Sequence, residues 1–262
     1  MGKIMLSAII LASMGMMREA RAAYDHQYTH WQEVLRVYTH KGRVNYKSLK
    51  ENDSELKASI QAIEGASKTD FESFNIKQKK AFWINAYNMS VIKTIIDNYP
   101  IKRGFSFKTI AFPSNSIQQI THVWDKLVLH VLSQDLSLNG IENKILRPEF
   151  KDPRIHFAIV CASIGCPVIK SEAYTAEKLD QQLSDQIRLF FSDPSKARYD
   201  KTKDVLYLSP IFKWFKTDFD QAGGAIAFIK NHAPEGLFDG ISDRTQIQWL
   251  GYDWKLNEEY AK

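Results

Sequence analysis

The stretch that decides the fold is Ile76-Lys77-Gln78-Lys79-Lys80-Ala81-Phe82-Trp83-Ile84-Asn85-Ala86-Tyr87-Asn88-Met89-Ser90-Val91-Ile92-Lys93-Thr94-Ile95-Ile96-Asp97-Asn98-Tyr99, closed by Pro100. Apolar residues recur in it every three to four positions, at Ala81, Trp83-Ile84, Tyr87, Val91-Ile92 and Ile95-Ile96, which is the period of a helix. Proline cannot continue that helix, so it ends near Tyr99. Its length and apolar content predict the long central buried helix of the core, with Lys77-Gln78-Lys79-Lys80 as its solvated first turns. Asn85 and Asn88 sit one turn apart among these apolar residues. An unpartnered buried amide costs about 1 to 3 kcal/mol, so both must be paired, either in a structural network or in a binding site.

Outward from that helix, Trp31 to Tyr38 and Ser48 to Ile63 carry helical spacing. Lys126 to Leu132 suits a strand, and Ser137 caps a short helix that reaches Leu146 before Pro148 stops it. Ile155 to Cys161 is a short β-branched and apolar run, read as a buried strand. Thr175 opens an amphipathic helix that ends near Asp193-Pro194, and Arg198 to Leu208 reads as a hairpin turning near Lys203-Asp204. Ser209-Pro210 opens another helix, Gly224 to His232 forms one more, and Gln246 to Leu250 closes the chain as a strand. Helices and strands do not alternate strictly. The expected fold class is therefore α+β: a helix-rich single domain over residues 23–262, around a small, mostly antiparallel sheet.

The first residues behave differently. Lys3 supplies a positive start, Ile4 to Met17 is apolar or small, and Ala20-Arg21-Ala22 fits the rule for cleavage before Ala23. The apolar stretch is shorter than the roughly 20 residues of a spanning helix. Residues 1–22 are thus expected to be a cleaved signal peptide, leaving a periplasmic or secreted protein with no stable membrane anchor. The net charge is only +5 across 262 residues, and removing Lys3, Arg18, Arg21 and Glu19 lowers it further. So small and interspersed a charge directs no field at nucleic acid, which is excluded as a partner.

The chain has two cysteines, in Cys161-Ala162-Ser163-Ile164-Gly165-Cys166-Pro167. An exported pair is often oxidised, and closing this loop would contribute about 2 kcal/mol, provided the segment turns back at Gly165. The other reading makes Cys161 a thiolate nucleophile with Cys166 as a resolving partner, which requires a base or a positive environment. His156 fails as that base if the strand is real, because five residues along a strand span about 16 Å and the two side chains face opposite sides. His122 and His130 remain as candidates. The spacing lacks the paired ligands of a zinc site, so neither metal nor any other cofactor is expected. Glu142 and Arg147, with Asp152 and Arg154 just beyond, form either a buried ion network or a cleft where Arg147 or Arg154 holds an anion. Ile211-Phe212-Lys213-Trp214-Phe215 and Tyr252-Asp253-Trp254 are core aromatics or a stacking surface for a small-molecule or peptide ligand.

Six ordered blocks resemble the family catalogued as Domain of Unknown Function 547. They are Phe82 to Asn88, Leu136 to Arg147, Asp152 to Ala158, Cys161 to Pro167, Ser209 to Trp214 and Tyr252 to Asn257, within a family-like core of about residues 70–257. The resemblance implies a domain of exported bacterial proteins that in eukaryotes stands beside others, including glutaredoxin-like ones, an association that points to thiol chemistry. Alanine stands at 162 where the family favours glycine. The reading that follows is a cysteine-dependent hydrolase or acyltransferase using Cys161, His156 and Glu142, with Asn85, Asn88, Arg147 and Arg154 as binding residues. Its rival is a non-catalytic ligand-binding or scaffold domain stapled by a Cys161 to Cys166 disulfide. A thiol-disulfide exchanger fits less well, because its motif is normally Cys-x-x-Cys.

Overall fold

The computed structural model describes residues 23–104 and 109–259; the leader read over residues 1–22 lies outside them. The central helix runs Ile76–Asn98. Its start is fixed by a reciprocal cap, in which the Asn75 side chain accepts from the Gln78 N–H and the Gln78 side chain accepts from the Asn75 N–H, each at 2.9 Å. Every residue from Ala81 to Ile92 is buried. A helix buried on all sides needs neighbours on all sides. They are the helices Tyr46–Glu51 and Ser54–Glu64, the strand Leu127–Val131 and the helical run after Ser137.

The inventory is helix-rich α+β with small sheets. Leu127–Val131 pairs antiparallel with Gln134–Ser137, and Thr39–His40 with Arg43–Val44. Ala197–Asp200, Val205–Leu208 and Gln246–Trp249 form a three-stranded sheet whose last strand is parallel to the middle one. The apolar run over 48–63 is two helices rather than one, broken at Asn52-Asp53, residues whose short polar side chains favour helix ends. Lys80 is less solvated than its position in a basic run suggests. It lies in a partly buried pair with Asp152 at 2.7 Å.

Two local expectations are corrected. Ile155 to Cys161 is not a strand: Pro153–Phe157 is a 3-10 helix, opened by the Asp152 side chain accepting from the Arg154 N–H, and an irregular segment follows it. Asn88 replaces a strand neighbour there. It donates to Ala158 O at 2.9 Å and accepts from the Val160 N–H at 3.0 Å. Nor does Pro148 stop the helix begun at Leu138. Residues Ile141–Leu146 wind as a π-helix, with the Arg147 N–H reaching Glu142 O, and helix continues through Arg147–Phe150. The wider turn shifts the hydrogen-bond register just where proline brings no donor.

The core has two apolar clusters. One surrounds the central helix, and the other stacks Phe157, Phe190, Phe191, Phe212, Phe219 and Phe228 against the three-stranded sheet. Ile155 and Ala158 belong to the first cluster and Phe157 to the second. The segment leading to Cys161 is therefore the seam between them.

Candidate active site

A cavity of about 250 Å³ opens on this seam. Tyr87, Glu142, Cys161 and Cys166 line it from the side of the central helix, and Ile211, Phe215 and Tyr252 from the side of the second cluster.

Cys161 and Cys166 are free thiols in a loop that folds back on itself. Ala162 takes a left-handed φ of 55°, which explains why glycine suits that position. Gly165 is required by close approach, since a Cβ there would lie 2.9 Å from the Asp253 nitrogen and 3.0 Å from the Tyr252 ring. The loop bonds to the 253–257 segment through Ile164 N–H to Lys255 O, Gly165 N–H to Asp253 O and Asn257 N–H to Ala162 O. That alignment brings the Tyr252 hydroxyl to 3.1 Å from Cys161 Sγ, with Ser163 Oγ at 2.9 Å, while the Cys161 N–H donates to Cys166 Sγ. Burial pushes the Cys161 thiol up, but hydrogen bonds from Cys166, Ser163 and Tyr252 outweigh it and bring the thiol down to about 7. Cys166 moves the other way, raised by burial and by the charge on its neighbour. Cys161 is thus the more acidic thiol of the pair, with Cys166 as its hydrogen-bond partner.

His156 is 3% exposed and stacks on Phe215 at 3.9 Å between centroids. Its Nε2 lies 2.7 Å from Asp218 Oδ2, and its Nδ1 is buried with no hydrogen-bond partner among the described residues. Donation from Nε2–H to the carboxylate leaves the basic lone pair on Nδ1. Burial lowers the imidazole, against the pull of Asp218, and so favours its neutral form. Arg147 holds Asp218 in bidentate fashion at 2.6 and 3.0 Å. Burial alone would raise the Asp218 carboxyl, but His156 and Arg147 hold it well below the usual range. The chain of contacts continues along one helix face: Arg147 donates to Asn143, Asn143 to Asn139, and Asn139 to Asp125. Beside it, Tyr87 donates to Glu142 at 3.2 Å. Burial pushes the Glu142 carboxyl up to about 7, against the effects of Tyr87 and Arg147.

Of the residues expected from sequence, Cys161, Cys166, His156 and Glu142 meet in this cavity. His156 sits beside the loop rather than along a strand from Cys161, so the objection to it disappears with the strand; no hydrogen bond joins the two side chains. His122 and His130 are exposed and outside the cavity, His130 being paired with Asp135. Asn85 and Asn88 do not line it: Asn85 closes on the backbone of Tyr174 and Asn88 on Ala158 and Val160. Arg147 is committed to Asp218, and Arg154 to Asp152 and Asp180, so neither offers a free fork to an anion. The aromatic blocks divide. Phe212 is core, whereas Trp214, Phe215, Tyr252 and Trp254 line the cavity.

Asp218, Ser163 and Gln118 were not singled out by sequence. Asp218 lies in Lys216-Thr217-Asp218-Phe219-Asp220, which carries no local mark beyond ordinary helix charge. Among the described residues, no group of three or more His, Cys, Asp or Glu side chains is placed to hold a metal ion.

Residues 71–191 match the family described as a protein of unknown function, DUF547. The first four of the six blocks fall inside that match, and the blocks with Trp214 and Tyr252 lie beyond it. Comparisons with curated proteins and with solved structures return no match.

Proposed function

We propose, for a chain whose residues 71–191 match the DUF547 family, a cysteine-dependent acyl transfer, as a hydrolase or an acyltransferase, carried out outside the cytoplasm. The observation that carries this reading is the meeting of a hydrogen-bonded, lowered thiol at Cys161 with a buried imidazole whose free nitrogen is Nδ1, in one cavity. In the proposed reaction, Cys161 sulfur bonds to the acyl carbon and the thiol proton passes by way of His156 Nδ1 to the leaving group as its bond breaks. Water or another acceptor then takes the acyl group, and its proton returns through Nδ1 to the sulfur. Asp218 holds the tautomer and ring orientation, and Arg147 holds Asp218. Gln118 lines the cavity with a side-chain amide that donates to no group among the described residues, and in this reading it meets the oxyanion.

The test begins with iodoacetamide, titrated against pH on the purified protein. Cys161 should be alkylated with a midpoint near 7 rather than the 9.0 of an ordinary thiol. Asp218→Asn should retain the fold by circular dichroism yet lose roughly 10³ to 10⁴ in turnover of an activated ester, because the wrong tautomer is then favoured. Cys161 protected until a reductant is added, together with a Cys161→Ser variant that loses thermal stability but no activity, would instead establish the disulfide-stapled binding domain.

A further inference from the structure

The acyl-transfer reading leaves open what the cavity accepts. The geometry points to an uncharged, apolar acyl group as its substrate class, with the carbonyl at Cys161 and the apolar portion lying on Trp214 and Trp254. This inference rests on the acyl-transfer reading of the same cavity.

Its first support is charge. Among the described residues no lysine or arginine lines the cavity, and Arg147, next to the lining residues His156 and Asn143, spends its fork on Asp218 and its remaining arm on Asn143. A substrate carboxylate or phosphate would therefore lose its hydration without gaining a cation, and would face Glu142 in the wall. The second support is the wall itself. Ile159 and Ile211 make its apolar part, and Trp214, Phe215 and Trp254 its aromatic part. Trp214 remains 47% exposed although it stacks on Trp254 with centroids 5.8 Å apart and lies 4.8 Å from Tyr252. These rings are thus held by one another, and Trp214 keeps nearly half of its surface uncovered. Gln118, Asn139 and Asn143 share the lining as uncharged polar groups that can orient a carbonyl without neutralising a charge, while the aromatic rings offer apolar contact.

Chloromethyl ketones of N-acetylphenylalanine and N-acetylaspartate place a carbonyl at the thiolate and differ in the group beyond it. With the mature chain at pH 7.5, and with each rate normalised to that of glutathione, the phenylalanyl probe should inactivate Cys161 at least tenfold more efficiently than the aspartyl probe. Trp214→Ala should raise the half-saturation concentration of the phenylalanyl probe at least fivefold, with a smaller change in its maximal rate. Equal normalised rates, preference for the aspartyl probe, or an unchanged half-saturation concentration in the variant would overturn the inference while leaving the nucleophile in place. Failure of iodoacetamide to label Cys161 in the same preparation would overturn both.

Discussion

At the scale of single residues, the cavity is organised by protonation. Glu142 is raised to about 7 from an ordinary 4.5, chiefly by burial. A folded-state value above the unfolded one means that the folded protein holds the extra proton between those limits; stability is greatest below about 4.5 and is lost as pH rises through 7. Glu142→Gln removes that loss. Its melting temperature should exceed that of the parent by several degrees at pH 8 and by much less at pH 5, which a calorimetric pH series reads directly; an equal gain at both would contradict the assignment. The same variant separates the two groups that titrate near neutrality, because a rising limb of activity that survives in Glu142→Gln belongs to Cys161. Much of this was legible as residue types: the sequence already singles out Cys161, His156 and Glu142. What it does not contain is Asp218, because 62 residues separate it from His156 and only the packing of Phe215 and Phe219 around the imidazole brings it there.

At the scale of elements, the central helix was readable from its period and closing proline, and the need to pair Asn85 and Asn88 followed from burial alone. Their partners did not, since each is a backbone segment 70 or more residues away. The run Ile155 to Cys161 shows the limit of such reading. A buried 3-10 turn and a buried strand demand the same apolar composition, and only Asn88, by supplying the hydrogen bonds a sheet would have given, distinguishes them. Asn88→Ala leaves the Ala158 carbonyl and the Val160 N–H buried without partners. It should cost about 2 to 4 kcal/mol in denaturant unfolding and slow alkylation of Cys161 by disturbing the loop entrance. A loss below about 0.5 kcal/mol would show that these groups find other partners. The π-helical turn was not legible at all, because it leaves no compositional trace beyond a tolerated Pro148.

At the scale of the whole molecule, the fold class followed from the order of elements, whereas the two-cluster core did not, because both clusters draw on the same kinds of residue. Among the described residues, no helix is long and apolar enough to cross a membrane. The export proposal is checked by mass spectrometry of the protein recovered from the extracytoplasmic fraction. Its first residue should be Ala23 or a close neighbour, and an intact Met1 would refute cleavage. The seam also bears on what a shortened chain can do. Residues 71–191 carry Cys161, His156 and Glu142 but not Trp214, Asp218 or Tyr252, so the matched segment alone holds the proposed nucleophile without the carboxylate that bonds His156 or the aromatic wall of the cavity. A molecule wedged between Cys161 and Phe215 touches both halves of the interior at once. Occupancy then acts as a mechanical bridge, tying the melting of one half to that of the other.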